Sequence, residues 1–92
     1  MNDLTNESTM TINCIIIDDE PLARKGLKEY MADVDFLSFL GEFDNPLKAT
    51  SLLNNQIIQL VFLDIQMPKI TGLEWVKTLQ HVPQIIFTTA YP

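Results

Sequence analysis

The sequence predicts an α/β fold, a doubly wound parallel sheet of about four strands and three helices, and three observations carry this. Four short runs with β-branched or aromatic content, Ile12 to Ile17, Phe36 to Phe43, Leu60 to Leu63 and Gln84 to Thr88, have the length of strands. Three segments with helical spacing lie between them. Strand and helix therefore alternate along the whole chain, which predicts parallel β/α units with right-handed crossovers and helices on both faces of the sheet.

Residues 1–11 are polar, show no apolar period, and read as a disordered lead-in, with Met10 an alternative start. The domain is expected to occupy residues 12–92. In the first helix Leu22, Ala23, Gly26, Leu27, Tyr30 and Met31 form an apolar face, opposite Arg24, Lys25, Lys28 and Glu29. Pro21 suits its first turn, and Gly26 is expected to let the helix approach the sheet closely. The second helix opens at Asn45-Pro46, a cap followed by proline, and carries Leu47, Leu52 and Leu53. The third opens on the capping-box pattern Thr71-Gly72-Leu73-Glu74 and carries Leu73, Val76 and Leu79. After the fourth run no helical pattern follows, so the chain reads as part of a larger fold.

Twelve Asp and Glu against six Lys and Arg give a net charge of −6 over 92 residues, which argues against direct nucleic-acid binding by this chain. Residues 1–44 hold ten acids and three bases, whereas residues 45–92 hold two and three. Acidity in the first half thus needs a local cause. A lone Cys14 permits no intrachain disulfide and no cysteine metal cluster, which fits a reducing, cytoplasmic setting. No apolar run approaches the roughly 20 residues that span a bilayer, so no membrane role is expected. Gly26, Gly41 and Gly72 form no phosphate-cradling loop, which excludes the common nucleotide-binding fingerprints.

Open parallel α/β sheets place their sites beyond the carboxyl ends of the strands. The first run ends in Asp18-Asp19-Glu20, the third in Asp64 and the fourth in Thr88-Thr89. Converging carboxylates and a hydroxyl make a hard-oxygen environment suited to Mg²⁺, and carboxylates this close repel one another unless a cation intervenes. Each residue also has a plainer reading. Asp18 to Glu20 could cap the first helix, and Asp64 could make an Asx-turn. Turn chemistry does not, however, require acids at the ends of two different strands. His81 is a loop residue with no partner ligand, Trp75 and Tyr30 read as packing or partly exposed helix residues, and Cys14 as a small core residue.

The order of these motifs resembles the receiver domain of two-component response regulators. Ile15-Ile16-Ile17-Asp18-Asp19-Glu20-Pro21 is similar to that family's first strand and acidic pair. Phe62-Leu63-Asp64-Ile65-Gln66-Met67-Pro68 with Gly72 resembles its phosphoacceptor segment, and Phe87-Thr88-Thr89-Ala90 its fourth strand and switch. Asp19-Glu20-Pro21-Leu22-Ala23 and Thr88-Thr89-Ala90-Tyr91 further resemble receivers joined to a LytTR-type DNA-binding domain.

The resemblance implies a flavodoxin-like (CheY-like) fold, truncated before the fifth strand, so that residues 12–92 form a partial receiver domain. It implies that Asp64 accepts a phosphoryl group from a sensor histidine kinase. Asp18, Asp19, Asp64 and the backbone carbonyl of Gln66 would hold Mg²⁺, and Thr89, with Thr88 as the alternative, would be the switch residue. The chain would be a phosphoacceptor rather than an enzyme, and any DNA-binding output domain would belong to the parent protein. The family's fifth-strand Lys has no counterpart here, since neither Lys69 nor Lys77 follows such a strand. In the family's strand order the fourth strand would then be an open edge through which the chain could self-associate. Two other readings compete: an inert or interaction-only fragment, and a Mg²⁺-dependent phosphatase of the haloacid dehalogenase type. The second needs Asp-x-Asp after the first strand, where this chain has Asp18-Asp19-Glu20.

Overall fold

The computed structural model describes residues 10–67 and 72–89. Residues 1–9 of the expected lead-in, Lys69, Thr71 of the capping-box pattern and Ala90 lie outside the described residues. The elements run β1 (Ile12–Ile17), α1 (Pro21–Met31), β2 (Leu37–Phe43), α2 (Pro46–Asn55), β3 (Leu60–Asp64), α3 (Gly72–Val76) and β4 (Gln84–Thr88). The sheet order is β2-β1-β3-β4, and each neighbouring pair is parallel. This is the four-stranded, three-helix doubly wound arrangement expected from the sequence, with β2 starting one residue later and β3 ending one residue further on.

β1 sits inside the sheet and is covered on both sides, so Cys14, Ile15, Ile16 and Ile17 are all fully buried. Side chains alternate across the sheet. Ile15, Ile17, Val61 and Leu63 meet Ala49 and Trp75 on the face covered by α2 and α3. Cys14, Ile16 and Leu60 meet Met31 and Leu27 on the face covered by α1. Burial pushes the Cys14 thiol above its ordinary pKa, so it is an inert core group rather than a nucleophile.

The α1 face differs from the one expected. Ala23, Leu27 and Met31, each four apart, form the inward line, while Leu22 and Tyr30 are 75% and 78% exposed. Arg24 and Lys28 are half-buried instead of solvated. The helix is turned by one stripe toward β2, where Glu42 binds both cations. Gly26 belongs to the outward stripe, and a Cβ there would meet nothing within 4 Å, so it does not mediate a close approach.

In α2 the Asn45 side chain accepts the Leu47 N–H at 2.7 Å, as a cap before proline should. Its buried residues are Pro46 and Ala49, with Leu52 and Leu53 against the core and Leu47 in solvent. In α3 Trp75 is fully buried and Leu73 is exposed, and Leu79 packs from the turn beyond the helix. On β4 Ile86 and Phe87 remain 44% and 46% exposed.

Candidate functional site

Asp18 follows β1 and Asp64 closes β3, and these two strands are neighbours in the middle of the sheet. The two carboxylates are held in the same way. Asp18 Oδ1 accepts the N–H of Glu20 at 2.9 Å, and Asp64 Oδ1 accepts the N–H of Gln66 at 2.9 Å. Each is an Asx-turn, in which the side chain caps the backbone two residues on. Glu20 caps α1 through Leu22 N. The plainer readings of these acids are therefore correct and do not compete with a site, because the turns aim the carboxylates.

Asp18, Asp19 and Asp64 each bring one carboxylate oxygen into a space where all three lie within 4.8 Å of one another. Asp18 and Asp64 are only 3% and 5% exposed, whereas Asp19 is open to solvent. Burial raises the Asp64 carboxyl above the ordinary carboxylate pKa. The Gln66 N–H opposes the rise, and the charges of Asp18 and Asp19 add to it. Three hard oxygen donors brought this close, with Asp18 and Asp19 opposing the ionisation of Asp64, fit a small divalent cation such as Mg²⁺.

Gly72 secures this geometry from the other side. A Cβ at its position would lie 2.9 Å from Leu63 Cδ2, 3.1 Å from Leu63 Cγ and 3.3 Å from the carbonyl oxygen of Asp64. Leu63 is fully buried and cannot move aside freely. Glycine lets α3 start against the end of β3, next to the acid. Gly72→Ala should cost about 1–3 kcal/mol through overpacking, partly offset by alanine's better helix propensity. Urea unfolding checks this, and an unchanged midpoint would mean that α3 shifts without cost.

Residues 14–92 match the protein family described as Response regulator receiver domain. The chain belongs to that family. Among curated relatives, the transcriptional regulatory protein BtsR of Salmonella typhimurium (strain LT2) is 42% identical over 82 residues, covering 87% of this chain and 34% of that protein. BtsR of Escherichia coli (strain K12) is 39% identical with the same coverage. The receiver domain thus spans about a third of the length of the curated relatives it matches. Among solved structures, the response regulatory domain of mrkE from Klebsiella pneumoniae superposes with a TM-score of 0.74 at 29% identity, over 87% of this chain and 68% of that one.

The remaining residues singled out in the sequence fall as follows in this receiver domain. Thr88 is in register with Asp64, its carbonyl accepts the Ile65 N–H at 3.2 Å, and its buried Oγ1 has no hydrogen-bond partner. Thr89 follows β4 and is exposed. Lys77 lies in the turn after α3, and His81 is exposed in the loop before β4. Among the described residues Asp18, Asp19 and Asp64 are the one group with metal-ligand spacing, and no helix is long and apolar enough to cross a membrane.

The sequence reading missed Arg24. Its Nη1 donates to the Asp18 carbonyl at 2.7 Å, and its Nε donates to Glu42 Oε1 at 2.8 Å. One signal was available: a cation in the first turn of a helix opposes the macrodipole.

Proposed function

We propose that this receiver domain accepts a phosphoryl group on Asp64 from the phosphohistidine of a sensor histidine kinase, with Mg²⁺ held by Asp18, Asp19, Asp64 and the Gln66 carbonyl. The matched Asx-turns at the ends of adjacent strands, with Asp19 beside them, are the observation that supports this best. An Asp64 carboxylate oxygen attacks phosphorus, and the P–N bond breaks with its electron pair going to the imidazole nitrogen. The phosphoryl group is left on Asp64 as an acyl phosphate. A bound Mg²⁺ supplies charge neutralisation to the phosphoryl oxygens, and positioning does most of the rest in such transfers.

Asp18 and Asp19 lower the cost of collecting negative charge beside Asp64 only when a cation is present; without one they oppose ionisation. Thr89 is the switch residue of this reading, with Thr88 as the alternative. The unpaired Thr88 hydroxyl supports keeping the alternative, since a buried hydroxyl ordinarily finds a partner. The relatives are named transcriptional regulatory proteins, and this chain spans a third of their length. That supports a cytoplasmic parent protein with a DNA-binding output domain, which we assign to the LytTR type from the wording of Asp19 to Ala23. The −6 charge supports leaving nucleic acid to that other domain.

Incubation with acetyl phosphate and Mg²⁺, followed by peptide mass spectrometry, tests the reading. Label is expected on Asp64 and absent after Asp64→Ala. Label on another residue, or label that survives the substitution, sinks the assignment.

A further inference from the structure

We propose that Arg24 is a positioning residue for the acidic site: it ties the Asp18 peptide to Glu42 of β2 and thereby fixes where the Asp18 and Asp19 carboxylates stand when Mg²⁺ binds. The inference rests on the reading of Asp18, Asp19 and Asp64 as a Mg²⁺ site.

The Asp18 carbonyl lies between the end of β1 and the start of α1. Arg24 Nη1 donates to it at 2.7 Å, a charge-assisted bond. On the other side of the same residue, the Asp18 N–H donates to the Phe43 carbonyl at 2.9 Å. Both backbone groups of Asp18 are therefore anchored to β2, one directly and one through the guanidinium and Glu42. Glu42 lies within β2 in register with Ile16 of β1, so the anchor is part of the sheet. The Arg24 side chain is 18% exposed and that of Glu42 31% exposed, which makes this pair more sheltered than Lys48 and Asp44 at 65% and 51%.

The arrangement needs arginine. Its planar fork sends Nε to Glu42 and Nη1 to Asp18, whereas a lysine ammonium at the end of a flexible stem cannot hold both directions at once. Hydrogen bonds from Lys28 first and Arg24 second hold the Glu42 carboxyl below the usual range. Lys28 touches Glu42 but makes no contact with Asp18 among the described interactions, so it supports the anchor without directing the site.

Charge and position predict opposite signs for removing Arg24. Deleting a cation near three carboxylates would by itself strengthen Mg²⁺ binding, since one source of repulsion disappears. Releasing the Asp18 peptide would weaken it, by about tenfold if Arg24 behaves as groups that orient metal ligands usually do. Mg²⁺ titration of the 92-residue protein, followed by the amide shifts of Asp19 and Gln66, separates the two. Arg24→Ala and Arg24→Lys are both expected to weaken binding by about tenfold, and Lys48→Ala to leave it unweakened. Glu42→Gln, which keeps an acceptor but loses the charge, is expected to give a smaller loss of the same sign. Unchanged or tighter binding in Arg24→Ala overturns the proposal. If that variant does not fold, Glu42→Gln decides in its place, and unweakened binding there overturns it. Asp19→Asn in the same series tests the underlying site: if it leaves the Mg²⁺ response intact, the site reading fails and the positioning role falls with it. A lost response in Asp19→Asn beside an unchanged one in Arg24→Ala removes the positioning role alone.

Discussion

Asp64→Asn is expected to abolish phosphoryl acceptance and, at neutral pH, to make the fold more stable by about 1 kcal/mol, a common size for relieving a strained functional group. Asparagine has the same shape and keeps an amide oxygen to accept the Gln66 N–H, so the Asx-turn at 2.9 Å survives. That oxygen is not a nucleophile toward phosphorus, and the chemistry ends. What the substitution removes is a buried negative charge beside Asp18 and Asp19, the arrangement that raises the Asp64 carboxyl above its ordinary value.

The pH dependence fixes the sign. The folded-state pKa of Asp64 lies above the unfolded one, so between the two the native state binds more protons. Stability of the native protein therefore rises as pH falls through the folded value, and the gain is complete below the unfolded value near 3.8. At neutral pH the ionised form carries the full penalty, and the advantage of Asp64→Asn is largest there. Urea midpoints at pH 7 and at successively lower pH should show the advantage shrinking. Excess Mg²⁺ should stabilise the native protein by binding its folded state and do little for the variant. A variant less stable than the native protein at pH 7 without Mg²⁺ would show that the Asp64 charge is already compensated.

Much of this site could be read in the sequence because strand ends are marked by a change from apolar to acidic residues, and in a parallel sheet adjacent strand ends share an edge. Ile17-Asp18 and Leu63-Asp64 carry that mark directly, and β1, β2, β3 and β4 all formed within one residue of the apolar runs. The face of α1 was less legible. Ala23, Leu27 and Met31 compete with Leu22 and Tyr30 for the inward position under a 3.6-residue period, and both lines look apolar. Glu42, eighteen residues beyond Arg24, settles it by drawing Arg24 and Lys28 toward β2. No local pattern holds that information. The close approach expected at Gly26 is found at Gly72 for a similar reason: which glycine faces a neighbouring element depends on packing between segments, here between α3 and the end of β3.

The 92-residue chain is expected to self-associate through β4. Among the described residues β4 has a neighbour on one side only, and there its other edge presents backbone N–H and C=O groups able to pair with another chain. Gln84 to Thr88 contain no charge and no proline, the features that natural edges use to discourage such pairing. Ile86 and Phe87 are nearly half exposed on opposite faces of that strand, and Phe62, in register with Ile86, is only partly covered. An unpaired edge with apolar side chains on both faces favours association more than a scattered surface residue does. Sedimentation velocity over a wide concentration range should show growth in mass with concentration. Ile86→Lys should shift the protein toward monomer, because an exposed lysine stem can cover the neighbouring apolar surface while its charge opposes a second edge. Tyr30→Lys places the same charge on the outward stripe of α1, at a side chain that is more exposed than Ile86. It should leave association unchanged, which separates a role of the edge from a general effect of charge. Equal loss in both variants would show a general effect of charge, and a native protein that stays monomeric at high concentration would show that the β4 edge does not drive association.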